Sequence, residues 1–242
     1  MSAVGSHIVP EGELQAALFD VDGTLVDTMG AFIPSWHATA EKFDLQFSDD
    51  FFWSVAGKPL PDIVKELWRS QREDEATEEF IRQFLEEKQK VHHERETQTG
   101  APPAIGSVVE IARRHAEAGV PIVAATSGIR SIVIKHLTAN GLMKNLFSPD
   151  RIICAEELPP GRGKPQPDIF LRAAEIAGAD PAFCVVYEDA ESGFQGAWRA
   201  GCQVIDVRDL EGYPLSPALR ETMEKQRAAR QWLTSEENSV SH

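Results

Sequence analysis

The chain has 242 residues, 42% of them hydrophobic, and a formal net charge of −14. That apolar content sustains a full core and excludes wholesale disorder. The negative charge works against a nucleic-acid partner, whose phosphates require clustered Lys and Arg. No apolar run reaches the roughly 20 residues of a membrane span, and residues 1–13 carry no signal-peptide pattern. Cys154, Cys184 and Cys202 are odd in number and lack CxxC spacing, which favours small buried thiols in a reducing compartment over disulfides or a zinc site. A cytoplasmic protein, monomer or weak dimer, is expected.

Along the chain, residues 16–20 (Ala-Ala-Leu-Phe-Asp) form a short apolar run ending in an acid, the pattern of a strand buried on both faces. Similar runs follow at 120–125, 151–155, 183–187 and 203–207. Helical patterns lie between them at 104–118, 128–140, 167–177 and 192–200, each followed by a glycine suited to a helix C-terminus. Alternation of this kind predicts an α/β fold with a parallel sheet covered by helices on both faces, a three-layer core.

The alternation is broken once. Residues 32–102 contain only helix signals, with Phe80, Phe84, Leu85, Lys88 and Val91 at helical spacing. The segment is also rich in aromatics: Trp36, Phe43, Phe47, Phe51, Phe52, Trp53 and Trp68, best read as core packing. An all-α domain inserted into the core is predicted, with residues 97–103 as the return linker. The expected boundaries are 14–31 and 103–210 for the core, 32–102 for the insertion, and 1–13 and 211–242 for terminal extensions. The last of these reads as a surface helix and a frayed end. His92 and His93 lie on a charged helix of the insertion and read as a solvated face, since no third metal ligand is suggested.

The chemistry-bearing residues fall at predicted strand ends, where the loops of an open parallel sheet converge on one crevice. The first strand ends in Asp20-Val21-Asp22-Gly23-Thr24, the second in Thr126-Ser127-Gly128 and the fourth in Glu188-Asp189, while Lys164 lies in the loop after the third. Carboxylates gathered at one point repel each other. At an effective dielectric constant of about 20, two charges about 4 Å apart cost about 4 kcal/mol. The cluster therefore calls for a hard divalent cation with oxygen ligands, Mg²⁺ where a phosphate supplies another ligand. A carboxylate can attack phosphorus directly, a second acid can move the proton, and Thr126, Ser127 and Lys164 can hold the transferring oxygens. Two other motifs fail. A calcium loop would need its glycine sixth rather than fourth, and Gly161-Arg162-Gly163-Lys164 lacks the Ser/Thr of a P-loop.

Residues 20–28 (Asp-Val-Asp-Gly-Thr-Leu-Val-Asp-Thr) resemble the first motif of the haloacid dehalogenase superfamily, and the resemblance continues through Thr126, residues 164–170 and residues 188–201. It implies a Rossmann-like core with a mobile α-helical cap, as in the β-phosphoglucomutase and sugar-phosphatase branch. It further implies Asp20 as nucleophile, Asp22 as acid/base, and Thr126 and Lys164 as phosphate ligands. Mg²⁺ would be held by Asp20, Asp22 through its carbonyl, Asp189 and Glu188.

Within the superfamily, Asp22 argues for phosphoryl transfer, since a dehalogenase needs no second aspartate. The mutase branch carries a histidine where this chain has Phe32 and an arginine where it has Leu60. These departures favour a phosphatase acting on a small phosphorylated metabolite, expected to be a sugar phosphate. A hexose-phosphate mutase is the alternative, and a non-catalytic binding protein a more distant one. Gly57 and Lys58, on a short loop of the insertion, are the expected cap residues facing the site, with Lys58 available to a second anionic group.

Overall fold

The computed structural model describes Val9 and residues 12–215 and 217–230. Five strands, β1 (Ala16–Phe19), β2 (Ile122–Thr126), β3 (Ile152–Cys154), β4 (Cys184–Glu188) and β5 (Gln203–Asp206), form one parallel sheet in the order β3-β2-β1-β4-β5. Strands of three to five residues suffice because both faces are covered, and every residue of β1 is fully buried.

Side-chain alternation distributes each strand between two cores. Ala17, Phe19, Ile122, Ala124, Val185 and Tyr187 point to one face and pack against α5 (Gly106–Glu117) and α6 (Arg130–Ala139), followed by the short α7 (Leu142–Asn145). Ala16, Leu18, Val123, Ala125 and Val186 point to the other, against α8 (Asp168–Ala177) and α9 (Glu191–Arg199). The three-layer α/β expectation is met.

The insertion is helical, as expected: α1 (Met29–Lys42), α2 (Asp49–Val55), α3 (Leu60–Arg69) and α4 (Glu78–Thr99). Its starts are written locally, since Ser48 and Thr77 accept hydrogen bonds from the Phe51 and Phe80 amides at 3.1 Å each. Trp36, Phe52, Phe84, Val64 and Leu67 form a third core with Phe43, Phe47, Phe51, Trp53 and Trp68 packed around it, so the aromatic enrichment is packing first. The return segment is shorter than the expected 97–103. Helix α4 runs on through Thr99, held over its last turns by burial of His92 and Glu96, and stops only at Gly100, whose φ is 85°.

The C-terminal extension is less peripheral than its polar composition implies. Its helix α10 (Pro217–Ala228) buries Leu219 and Met223. Gln226 donates to the Trp53 carbonyl of α2 at 2.9 Å and its own side-chain carbonyl accepts from Arg208 at 2.9 Å, so α10 touches both the insertion and the end of β5. Arg208 and Asp206 are paired in two-pronged fashion at 2.8 Å in the buried base of this contact. Residues 231–242, in the part of 211–242 expected to end frayed, lie outside the described residues, as does most of the extension 1–13. Among the described residues, no helix is long and apolar enough to cross a membrane.

Candidate active site

Strand register builds the site. Phe19 pairs with Tyr187, and the Asp20 amide donates to the Tyr187 carbonyl at 3.0 Å, so Asp20 leaves β1 beside Glu188, the last residue of β4. These two strands flank the point where the chain, having built β2 and β3 on one side of β1, crosses to the other side, the place where open α/β sheets leave a crevice. Asp189 follows at once. One ligand atom each from Asp20, Glu188 and Asp189 lies within 4.8 Å of the other two, and all three residues are buried.

Lys164 is the counter-charge of the cluster. Its ammonium donates to Asp20 Oδ1 at 2.6 Å and to Glu188 Oε1 at 3.0 Å, and it is almost fully buried. Burial disfavours this ammonium, but the Asp20 and Glu188 carboxylates overcome that and hold its pKa above the ordinary lysine value. One lysine does not balance three buried acids. Burial and the Asp20 charge push Glu188 well above the usual carboxylate range and Asp189 up to about 8. Burial raises Asp20 as well, against the opposing pull of Lys164. Thr24 donates to Asp189 Oδ1 at 3.0 Å and so fixes that carboxylate. Three all-oxygen donors with surplus negative charge suit a hard divalent cation, and the residues present fit one.

The Asp22 carboxylate stands apart from this cluster. It faces the second strand end, where the Thr126 hydroxyl lies 3.4 Å from Asp22 Oδ2 and itself accepts from the Gly128 amide at 2.9 Å. Burial first, then the neighbouring Asp20 charge, lifts its pKa to about 6. The expectation of Asp22 as a metal ligand therefore cannot rest on its side chain. Gly23 makes the divergence of the two acids feasible. Its φ is 85°, and a Cβ there would sit 2.2 Å from Asp189 Oδ2.

The helical insertion roofs this floor, enclosing a cavity of about 560 Å³, within the range of small-ligand sites. Two expected cap residues have other duties. The Lys58 ammonium is paired with Glu66 at 2.7 and 2.9 Å inside the insertion, so its charge is already answered. Gly57 forms the seam between roof and floor. Its carbonyl accepts from the Ser127 hydroxyl at 2.6 Å, and the adjacent Ala56 carbonyl accepts from Ser192 at 2.7 Å. The Ser127 hydroxyl proton is thereby committed to the cap loop rather than free for phosphate. In their place stands Lys88, which spacing alone marked as one more helix residue. It is buried, its ammonium lies 4.5 Å from the Phe32 ring centre and 5.4 Å from that of Trp36, and the carboxylate that acts on it, Asp22, makes no hydrogen bond to it among the described residues. Burial pushes its pKa down to about 8, opposed by the charge of Asp22. Its spacing with Phe84 and Val91 placed it on the apolar stripe of α4, but nothing in the sequence showed that its ammonium would line a cavity.

His92 also departs from expectation. Only His93 is solvated; His92 is 2% exposed, lines the cavity and stands edge-on to Phe32. Consecutive helix residues differ by about 100° in direction, so one histidine of the pair turns inward as the buried stripe of α4 passes beneath it.

The haloacid dehalogenase-like hydrolase profile matches residues 17–207, spanning both sheet halves and the insertion. The chain belongs to this family. Hexitol phosphatase A of Escherichia coli is 30% identical over 190 residues, covering 78% of this chain and 81% of that protein. A β-phosphoglucomutase of Mycobacterium tuberculosis is 31% identical over 221 residues, covering 80% and 79%. In structure, the β-phosphoglucomutase of Clostridium difficile superposes with a TM-score of 0.70 at 18% identity, over 90% of this chain and all of that one, a likeness of fold. Family membership implies a divalent metal, and the Asp20–Glu188–Asp189 donors fit one.

Proposed function

We propose that the protein is a Mg²⁺-dependent phosphatase that hydrolyses a small phosphorylated metabolite, a sugar phosphate, through an aspartyl-phosphate formed on Asp20. The observation that carries this reading is the division of labour between two acids two residues apart. Asp20 lies in the cation-demanding cluster against Lys164, while Asp22 lies outside it with its pKa lifted to about 6. A proton donor and acceptor works best when its pKa is near the working pH, and Lys164 opposes the effect of burial on Asp20, favouring the ionised form that attack requires.

The residues then act in sequence. An Asp20 oxygen attacks phosphorus, forming the acyl phosphate as the bond to the sugar oxygen breaks, and Asp22 hands its proton to that leaving oxygen. Ionised Asp22 next takes a proton from a water, which attacks phosphorus, frees inorganic phosphate and returns Asp20 as a carboxylate. Lys164 and the backbone amides after Thr126 hold the phosphoryl oxygens throughout. Mg²⁺, when bound by Asp20, Glu188, Asp189 and the Asp22 carbonyl, neutralises charge on the phosphoryl group. The roof excludes bulk water, and Lys88 meets a polar or anionic part of the substrate.

Two features favour water over a second sugar hydroxyl as the acceptor: Phe32 puts an apolar ring where the mutase branch carries a histidine, and Leu60 replaces its arginine. The test is a phosphate-release screen over a panel of sugar and sugar-alcohol phosphates, with and without Mg²⁺, beside an isomer assay on β-glucose 1-phosphate. Mg²⁺-dependent release is expected. Efficient isomer formation without release would replace this reading with the mutase.

A further inference from the structure

Helix α4 of the insertion meets helix α6 of the sheet layer beside the cavity, and three potential metal ligands stand at that meeting. His92 and Glu96, four residues apart, share one face of α4, and His136 reaches them from α6. One ligand atom from each lies within 4.8 Å of the other two, and all three residues are buried. His136 Nε2 is 2.7 Å from Glu96 Oε1, and Lys135 holds the other oxygen of Glu96.

The histidine nitrogens are the independent observation. His92 is 2% exposed, yet among the described residues neither of its ring nitrogens has a hydrogen-bond partner, and His136 Nδ1 has none either. Leaving a buried polar group unsatisfied costs about 1–3 kcal/mol, so His92, with both nitrogens idle beside an imidazole that already meets a carboxylate, calls for a ligand. The two rings face each other edge-on at 6.2 Å between centres. Burial, reinforced by the nearby Lys88 ammonium, holds His92 neutral, with a lone pair to give.

We infer that His92, Glu96 and His136 bind one Zn²⁺ ion, at a centre separate from the Asp20–Glu188–Asp189 cluster. Two imidazoles and a carboxylate form a ligand set suited to Zn²⁺, with a fourth position left to water. Ligands at about 2.0–2.1 Å in tetrahedral array stand roughly 3.3 Å apart, so the His136–Glu96 pair, at 2.7 Å, opens slightly, while a pair as far apart as 4.8 Å closes by about 1.5 Å. His92 also lines the cavity. The all-oxygen cluster on the floor prefers Mg²⁺, so donor chemistry sorts the two metals between the centres. A metal here ties the insertion to the sheet layer at the base of α4, one turn before the chain returns to the core at Gly100.

The test uses the full chain, freed of metal by chelator, dialysed, and held in saturating Mg²⁺ so that the carboxylate cluster is filled. Titration with Co²⁺ is expected to give visible absorption of a four- or five-coordinate centre, saturating at one ion per chain and displaced by Zn²⁺, with a rise in melting temperature. His92→Ala and His136→Ala should each weaken Zn²⁺ binding by about 100-fold, whereas His93→Ala, on the solvated side of the same helix, should bind as the parent does. Absence of stoichiometric Co²⁺ or Zn²⁺ binding by the parent protein overturns the inference, whether or not the variants fold. So does retention of parent affinity in a folded His92→Ala protein, or its loss in His93→Ala.

Discussion

The floor and the roof of the cavity are built on different principles. On the floor, Asp20, Glu188 and Asp189 leave adjacent strands whose register is set by backbone hydrogen bonds, and Lys164 is locked between two of the acids. On the roof, Phe32, Trp36 and Lys88 come from helices α1 and α4, positioned by packing within the insertion's own apolar core. Phosphoryl transfer needs fixed charges, and a sheet edge supplies them with little freedom. Recognition of the rest of a substrate needs shape, and a helical layer can vary that without disturbing the floor. The contrast predicts that floor substitutions abolish chemistry while roof substitutions redirect it.

The largest effect expected is at the floor. Asp20→Asn should lower phosphate release by at least about 10³-fold, with circular dichroism and melting temperature close to the parent, since losing the nucleophile removes the covalent route. Full activity in that variant would refute the nucleophile assignment. Next comes the roof. Lys88→Met should cut kcat/KM for the best sugar phosphate by about 10- to 100-fold, mainly through KM, as expected for a charged contact. A small aryl phosphate, which has no group to reach Lys88, should lose much less, and an equal loss on both substrates would place Lys88 on the floor's side of the comparison.

The join between the two regions gives smaller effects. In metal-free protein, His92 is held at about 4, below its ordinary 6.5. The unfolded chain therefore takes up this proton first. The contribution to stability is complete above pH 6.5 and is lost progressively as pH falls towards 4, about 2 kcal/mol of it by pH 5. Urea unfolding at pH 7 and pH 5 would show it, and His92→Leu should flatten that part of the dependence. Finally, Gly57→Ala places a methyl 2.5 Å from Ser192 Oγ at a φ of 78°. A cost of about 1–2 kcal/mol is expected at that strained conformation, with KM rising more than kcat falls as the Ser127 and Ser192 contacts to the loop loosen. An unchanged KM would mean that the seam does not govern closure over substrate.

Much of the floor was legible in the sequence. Short apolar runs ending in Asp20, Thr126 and Glu188 announce strands buried on both faces, and strand order alone brings their ends together. The acid pair around Val21, with Gly23 to turn the chain, is a local motif whose geometry is set by its own backbone. Legibility failed where partners come from afar. Lys58 read as a free cation because Glu66, eight residues on, gave no sign of reaching it. His92 read as solvated because the buried stripe of α4 continues past Val91 onto polar side chains, and Lys88, though at helical spacing with Phe84 and Val91, gave no sign that its ammonium would be buried. The polar extension after residue 210 concealed a helix that buries Leu219 and Met223.

What this sequence determined by itself is the α/β alternation, the helical insertion after the first strand, and a set of carboxylates that must share a cation. Those properties follow from periodicity and from charge carried on short segments. Only the tertiary structure decided which cations answer which acids, that Asp22 stands outside the three-carboxylate cluster, and that His92, Glu96 and His136 meet. Each of these depends on the packing of helices distant in sequence against the sheet, and burial, more than residue type, sets the charge state of the groups packed there.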